Sequence, residues 1–190
     1  MKTKNTIISD NISRCHWVKL NNPTYVKYHD TEWGRPTYND NQLFEMLMLE
    51  TFQAGLSWEC ILNRRDAFRR AFDNFDMHKI VKYDDAKLNQ LYKYSGIIRN
   101  IRKINATVNN ARVFMNIMAE FGTFSKYLWG WTNGQIIYEY GETRNAVSDK
   151  IANDLRARGM RFVGTTTVYA YLQSAGVINS HEPMCHLYHK

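Results

Sequence analysis

Between Pro36 and Pro183 lie 146 consecutive residues without a proline. Proline is the strongest helix breaker, because its ring locks φ, removes an amide donor and clashes with the preceding turn. A body this long without one is free to be helical nearly throughout, and its apolar residues repeat accordingly. Ile101, Ile104, Val108, Ala111, Met115 and Met118 step by three and four, one stripe of a long helix ending near Gly122. Leu43, Leu47 and Glu50 share a face of a helix over 41–54, closed by Gly55. Asp84 suits the N-cap of a short helix reaching Tyr94 and stopped by Gly96. Thr165 suits the cap of another, turning Val168, Tyr171, Leu172 and Ala175 inward. Alternating strand patterns are nearly absent, with 135–140 the best candidate. The chain reads as all-α. Its 190 residues suit one domain or two small lobes. The turn-rich segment 132–147, with Asn133-Gly134 and Gly141, is where two helical lobes would divide. Residues 1–13 read as a loose polar tail before a single helical domain over 14–190.

No apolar run approaches the ~18–20 residues of a membrane span, and none resembles a signal-peptide core. The expectation is a cytoplasmic protein without membrane contact. Three cysteines build no disulfide framework, so metal binding or plain packing is their expected use. The net charge of +7 is concentrated: residues 61–112 carry twelve basic side chains against five acidic ones, and the rest carry thirteen of each. A basic middle on an otherwise neutral chain suits a polyanion partner, although a solvated helix face has the same composition.

Three constellations stand out. Cys15 and His29 near one end, and His181 and Cys185 near the other, supply two thiolates and two imidazoles. That set suits a closed, structural Zn²⁺ site tying the termini together, and it suits four ordinary packed residues too. In the stretch from Leu91 to Ile104, a short helix ends at Gly96, Ile97 and Ile98 turn the chain, and a second helix starts with Arg99, Arg102 and Lys103. Amides at such a turn form an anion seat, and the cations add phosphate contacts. A helix-hairpin-helix over about 84–120 fits, as does a plain αα-corner; the usual motif has two glycines where only Gly96 is present. Third, Glu50 lies on the apolar side of its helix, where a carboxylate is costly unless paired. It either turns outward, pairs with an arginine, or serves function. Tyr25, Tyr28, Trp33 and Trp58 lie around it in sequence; they suit a packed core or, beside a carboxylate, a receptor for a flat cationic ring.

Taken together these strings are specific. Arg14-Cys15-His16-Trp17, Tyr28-His29-Asp30-Thr31-Glu32-Trp33-Gly34 and Leu49-Glu50 through Gln53-Ala54-Gly55-Leu56-Ser57-Trp58 form the first part. Gly96-Ile97-Ile98-Arg99 with Lys103-Ile104, Arg161-Phe162-Val163-Gly164-Thr165-Thr166, and His181 with Cys185 form the second. From about Arg14 to Cys185 the chain resembles the bacterial 3-methyladenine DNA glycosylase I family. The resemblance implies a helix-hairpin-helix glycosylase fold and one structural Zn²⁺ per chain held by Cys15, His29, His181 and Cys185. It implies that Glu50 recognises the lesion base and acts in catalysis, with Tyr28 and Trp58 stacking on the base and Tyr25 and Trp33 near the pocket. Gly55 and Leu56 are then close to the gap in the duplex, and Gly96, Ile97, Arg99, Arg102 and Lys103 hold DNA. About thirteen residues precede the family's usual start.

The implied activity is hydrolysis of the N-glycosidic bond of 3-methyladenine in double-stranded alkylated DNA, releasing the free base, by a monomer. Between Arg99 and Tyr138 the only acid is Glu120. This agrees with a family thought to lack the superfamily's aspartate downstream of the hairpin, and it points to a monofunctional enzyme rather than a lyase. Two alternatives stay open: a non-catalytic zinc-stapled binder of damaged DNA, and a glycosylase that also takes 3-methylguanine.

Overall fold

The proline-free body is realised as helix. The computed structural model describes residues 10–189, and among them run ten α-helices. They are α1 (Pro23–Thr31), α2 (Asp40–Gln53), α3 (Trp58–Leu62), α4 (Arg65–Ala71), α5 (Met77–Ile80), α6 (Asp85–Lys93), α7 (Ile101–Phe121), α8 (Phe124–Gly130), α9 (Ala146–Ala157) and α10 (Thr165–Ser174). A 3₁₀ turn at Asp73–Phe75 precedes α5. No helix among the described residues is long and apolar enough to cross a membrane.

The centre is α2. Positions 43–52 are buried without interruption, so this helix is enclosed on all sides rather than along one stripe. Asn39 caps it by accepting from the Gln42 amide. Asp40, in its first turn, accepts the amides of Phe124 and Ser125 at 3.1 and 2.9 Å, which fixes the start of α8 against the start of α2. Gly55, at φ +86°, releases the chain through a left-handed turn that favours glycine.

Of the α7 stripe, Ile104, Val108 and Ala111 are buried and Met115 and Met118 half-buried, the neighbouring Phe114 and Ile117 taking the inner positions there, whereas Ile101, next to the Asn100 cap, is exposed. Asp84 caps α6 as expected. For α10 the cap position falls to Gly164, with no side-chain bond, and Thr165 opens the helix; its four inward residues are all buried. The 135–140 candidate yields two residues, β1 (Ile137–Tyr138), paired in parallel with β2 (Ile178–Asn179). That pair is too small to form a layer, and the fold is mostly helical.

The main apolar cluster joins α2 and α7 with Ile151 and Leu155 of α9 and Tyr171 and Leu172 of α10, so one continuous core lies on both sides of 132–147. A smaller cluster of Cys15, Val18, Tyr25, Val26, Tyr28, Trp33, Leu62, Cys185 and Leu187 seals the two ends of the chain together. Of the expected loose tail, residues 1–9 and their fold lie outside the described residues. Residues 10–13 are exposed but bonded: Asp10 pairs with Arg14 at 2.6 Å and the Ser13 carbonyl accepts from the His186 amide at 2.8 Å.

Candidate active site

Continuous burial puts two glutamates inside α2. Glu45, 8% exposed, accepts from Arg65 Nε at 2.6 Å and Arg69 Nε at 2.9 Å, while Arg65 also reaches Glu32 at 2.6 Å. Glu50, 4% exposed, has no such company. Its Oε2 lacks any hydrogen-bond partner, and burial pushes the carboxyl up to about 8. Of the readings open for this residue, turning outward and pairing with an arginine are both excluded.

Glu50 faces a cavity of about 340 Å³ whose walls include Tyr25, Tyr28, Trp33 and Trp58. Every base-contacting residue expected from the sequence is therefore brought to one place. The Tyr28 and Trp58 ring centroids are 5.2 Å apart. Burial, with the nearby Glu50 charge, holds the Tyr28 phenol well above its usual range, so it stays neutral. Trp58 Nε1 is buried without an acceptor. Buried polar groups are nearly always satisfied, yet this cavity offers one unpaired acceptor and one unpaired donor among aromatic faces. That arrangement is complementary to a flat, electron-poor ring with its own polar edge.

Further wall residues were not anticipated: Trp17, Gln53, Tyr140, Glu142, Gln173 and Glu182. Gln53 lies one turn from Glu50 and was legible from that spacing. Tyr140 and Glu142 come from irregular chain, which carries no periodic signal.

The terminal cluster lies against the same cavity. Cys15 Sγ, His29 Nε2 and Cys185 Sγ are all within 4.8 Å of one another, with 3.5 Å between Cys185 Sγ and His29 Nε2. The Glu182 and Leu187 amides donate to the two sulfurs. His29 Nδ1 is occupied by Asp30 Oδ1 at 2.7 Å, and Arg14 grips Asp30 at 2.8 Å, so Nε2 is the nitrogen left for a ligand. His181 stands beside them, its ring centroid 5.1 Å from that of His29. Its Nδ1 is bonded to Asn179 Oδ1 at 2.8 Å, and its Nε2 is buried with no partner. Burial pushes the Cys15 thiol up to about 12 and His181 down to about 4, outweighing the Glu182 amide on the sulfur and the nearby Asp30 charge. The cluster could hold a metal ion. Gly34 admits His181, because a Cβ at its φ of +71° would sit 2.6 Å from His181 Cε1. Trp33 serves both places, its ring 4.7 Å from His181 and its surface on the cavity.

Residues 94–100 join α6 to α7, whose first amides are capped by Asn100. Ile97 is buried, Gly96 is half-buried, and Arg99 and Arg102 are exposed. Lys103 differs from that expectation: it is buried, and its ammonium donates to the Phe52 carbonyl at 3.0 Å and the Ala54 carbonyl at 2.8 Å. It holds the carbonyl end of α2, where a cation complements the helix dipole. Gly55 and Leu56 are exposed just beyond. Glu120 is paired with Arg158 at the surface.

The protein is thus mostly helical, with a central helix that places an unpartnered buried carboxyl against an aromatic cavity. Comparison with known proteins gives its family. The methyladenine glycosylase family model matches residues 17–189. DNA-3-methyladenine glycosylase 1 of Escherichia coli (strain K12) is 36% identical over 183 residues, 93% of this chain and 97% of that protein. A crystal structure of 3-methyladenine DNA glycosylase I superposes with a TM-score of 0.87 at 37% identity, covering 93% of this chain and 100% of that one. A Staphylococcus aureus 3-methyladenine DNA glycosylase I, described for its recognition of 3-methyladenine, gives 0.85 at 32% identity over 89% of this chain and 93% of its own. The chain belongs to the methyladenine glycosylase family.

Proposed function

We propose that this protein excises 3-methyladenine from alkylated double-stranded DNA by hydrolysing the N-glycosidic bond. The observation that carries this reading is Glu50: a buried carboxylate with no counter-charge, facing aromatic walls. Methylation at N3 gives adenine a positive charge, which weakens its bond to the sugar. Once flipped out of the stack, the base packs against Tyr28 and Trp58, with Tyr25 and Trp33 behind them, and brings the charge that Glu50 lacks. Glu50 then releases its proton to water and, as a carboxylate, accepts from the exocyclic amine edge. Neutral adenine supplies no such charge and leaves poorly. The free base is the product. Among the described residues no lysine lines the cavity, and the reading is of a monofunctional enzyme in which water captures the sugar.

The turn at 94–100 suits a helix-hairpin-helix seat for a phosphate, with Arg99 and Arg102 as the cations that meet the backbone. Gly55 and Leu56, exposed at the end of α2, suit the gap left by the flipped base.

The donor set of the terminal cluster suits zinc: Cys15, His29 and Cys185 lie together, and the orphaned His181 Nε2 beside them would be the fourth donor. With four protein ligands no position would stay open, so the contribution would be structural: Cys15 and Cys185 would be tied together and the wall formed by Trp17, Trp33 and Glu182 stiffened. Elemental analysis should find about one zinc per chain, and Cys185→Ser should lower Tm and weaken binding of free 3-methyladenine.

The deciding experiment is chromatographic identification of bases released from DNA treated with a methylating agent. Release of 3-methyladenine by the protein, with strong loss in Glu50→Gln and duplex binding kept, supports the reading. No methylated base released contradicts it, and damage-selective binding without release would favour a non-catalytic binder. Release of 3-methylguanine alongside would define a broader substrate range.

A further inference from the structure

The segment 159–164 takes no part in the cavity, yet its backbone is held with unusual firmness. Asn110, fully buried on α7, accepts from the Arg161 amide and donates to the Arg161 carbonyl, both at 2.9 Å. Asn109 donates to the Gly159 carbonyl at 2.8 Å. Between this clamp and the buried Val163 sits Phe162 at φ +60°. An aromatic residue in the left-handed region is a strained outlier that persists only where its surroundings over-determine it.

The strain does not serve burial, since Phe162 is 37% exposed. It presents the ring at a particular place. The Lys103 ammonium lies 5.9 Å from the ring centroid, and that same ammonium is bonded to the Ala54 carbonyl at 2.8 Å. Two residues past Ala54 is Leu56, 42% exposed. One buried ammonium thus carries the Phe162 ring and bonds the backbone two residues before Leu56, at the end of the helix that carries Glu50 and within the first turn of α7, next to Arg99 and Arg102.

We propose that Phe162 is a duplex-probing side chain, inserted at a base step beside the lesion and working with Leu56 to unstack it. Apolar wedges entering a base step unstack and kink the duplex, and flipping needs the stack opened before the base can travel. Lys103 is then the positioning residue that joins the two wedges to α2. This role rests on the glycosylase reading, because it concerns how the base reaches Glu50.

Phe162→Gly tests it, because glycine adopts the observed φ without strain and the variant retains the fold. Expected are a Tm close to that of the unaltered protein and unchanged calorimetric affinity for free 3-methyladenine. Excision from methylated duplex should fall tenfold or more. The fluorescence rise of a 2-aminopurine placed next to the lesion should be lost, and Phe162→Leu should restore most of both signals. Equal duplex excision and an equal fluorescence rise in Phe162→Gly overturn the proposal while leaving the glycosylase reading intact. No base release by the unaltered protein removes both.

Discussion

Glu45 and Glu50 lie about one and a half turns apart on α2, both inside the protein, in opposite electrical surroundings. Glu45 is held by two arginines at 2.6 and 2.9 Å. Glu50 has burial and nothing to offset it. A buried carboxylate with partners is part of the scaffold: it fastens α4 to α2. One without partners costs stability in every folded molecule, and that cost is explicable only if the missing charge arrives with a ligand. The comparison separates structure from site along a single helix.

On the scaffold side the effect expected is on stability. Glu45→Ala leaves Arg65 with Glu32 and the partly exposed Arg69 with Asp66, and losing the buried acceptor costs about 1–3 kcal/mol, read as a fall in denaturation midpoint. Excision per folded molecule should change little. On the site side, Glu50→Gln should reduce excision about 10²–10³-fold, the usual loss when a preorganised electrostatic group is removed.

Stability against pH should report on Glu50. Glu50 titrates from 4.5 when unfolded to about 8 when folded, so the folded state holds a proton that the unfolded state has released. That stabilisation is complete below pH 4.5 and is lost as pH rises through 8. Relative to Glu50→Gln, the unaltered protein should weaken across that window, by on the order of a few kcal/mol.

Smaller effects sharpen the same division among the cations. Lys103→Met should cost about 1–3 kcal/mol, through two unsatisfied carbonyls at the end of α2, and leave the salt dependence of DNA binding unchanged. Arg99→Ala and Arg102→Ala should each flatten that dependence by about one ion with little loss of stability.

Much of this was legible beforehand because local rules and global packing agree. α2, α6, α7 and α10 were marked by periodicity and by Asp84, Gly55 and Gly122. A carboxylate among Leu43 and Leu47 singled out Glu50, but its lack of a partner depends on where distant arginines fall, and only the tertiary structure shows that Arg65 and Arg69 gather on the other side. Lys103 was misjudged for the converse reason. A cation in a basic turn reads as outward-facing, and nothing local reveals that the end of α2 waits beneath it. The α10 cap slipped by one residue because Gly164 and Thr165 both suit a helix start. β1 and β2 were illegible because two residues carry no alternation. The termini showed two Cys/His pairs; that these converge, and that Trp33 then bridges cluster and cavity, is a consequence of chain path.

The central claim is that Glu50 is kept without a counter-charge for a cationic base, and carbon-13 NMR of its carboxyl tests it directly. A titration near 8 is expected in the free protein, moving down when a cationic methylated base fills the cavity. Titration near the ordinary 4.5 in the free protein, unmoved by the base, would contradict it.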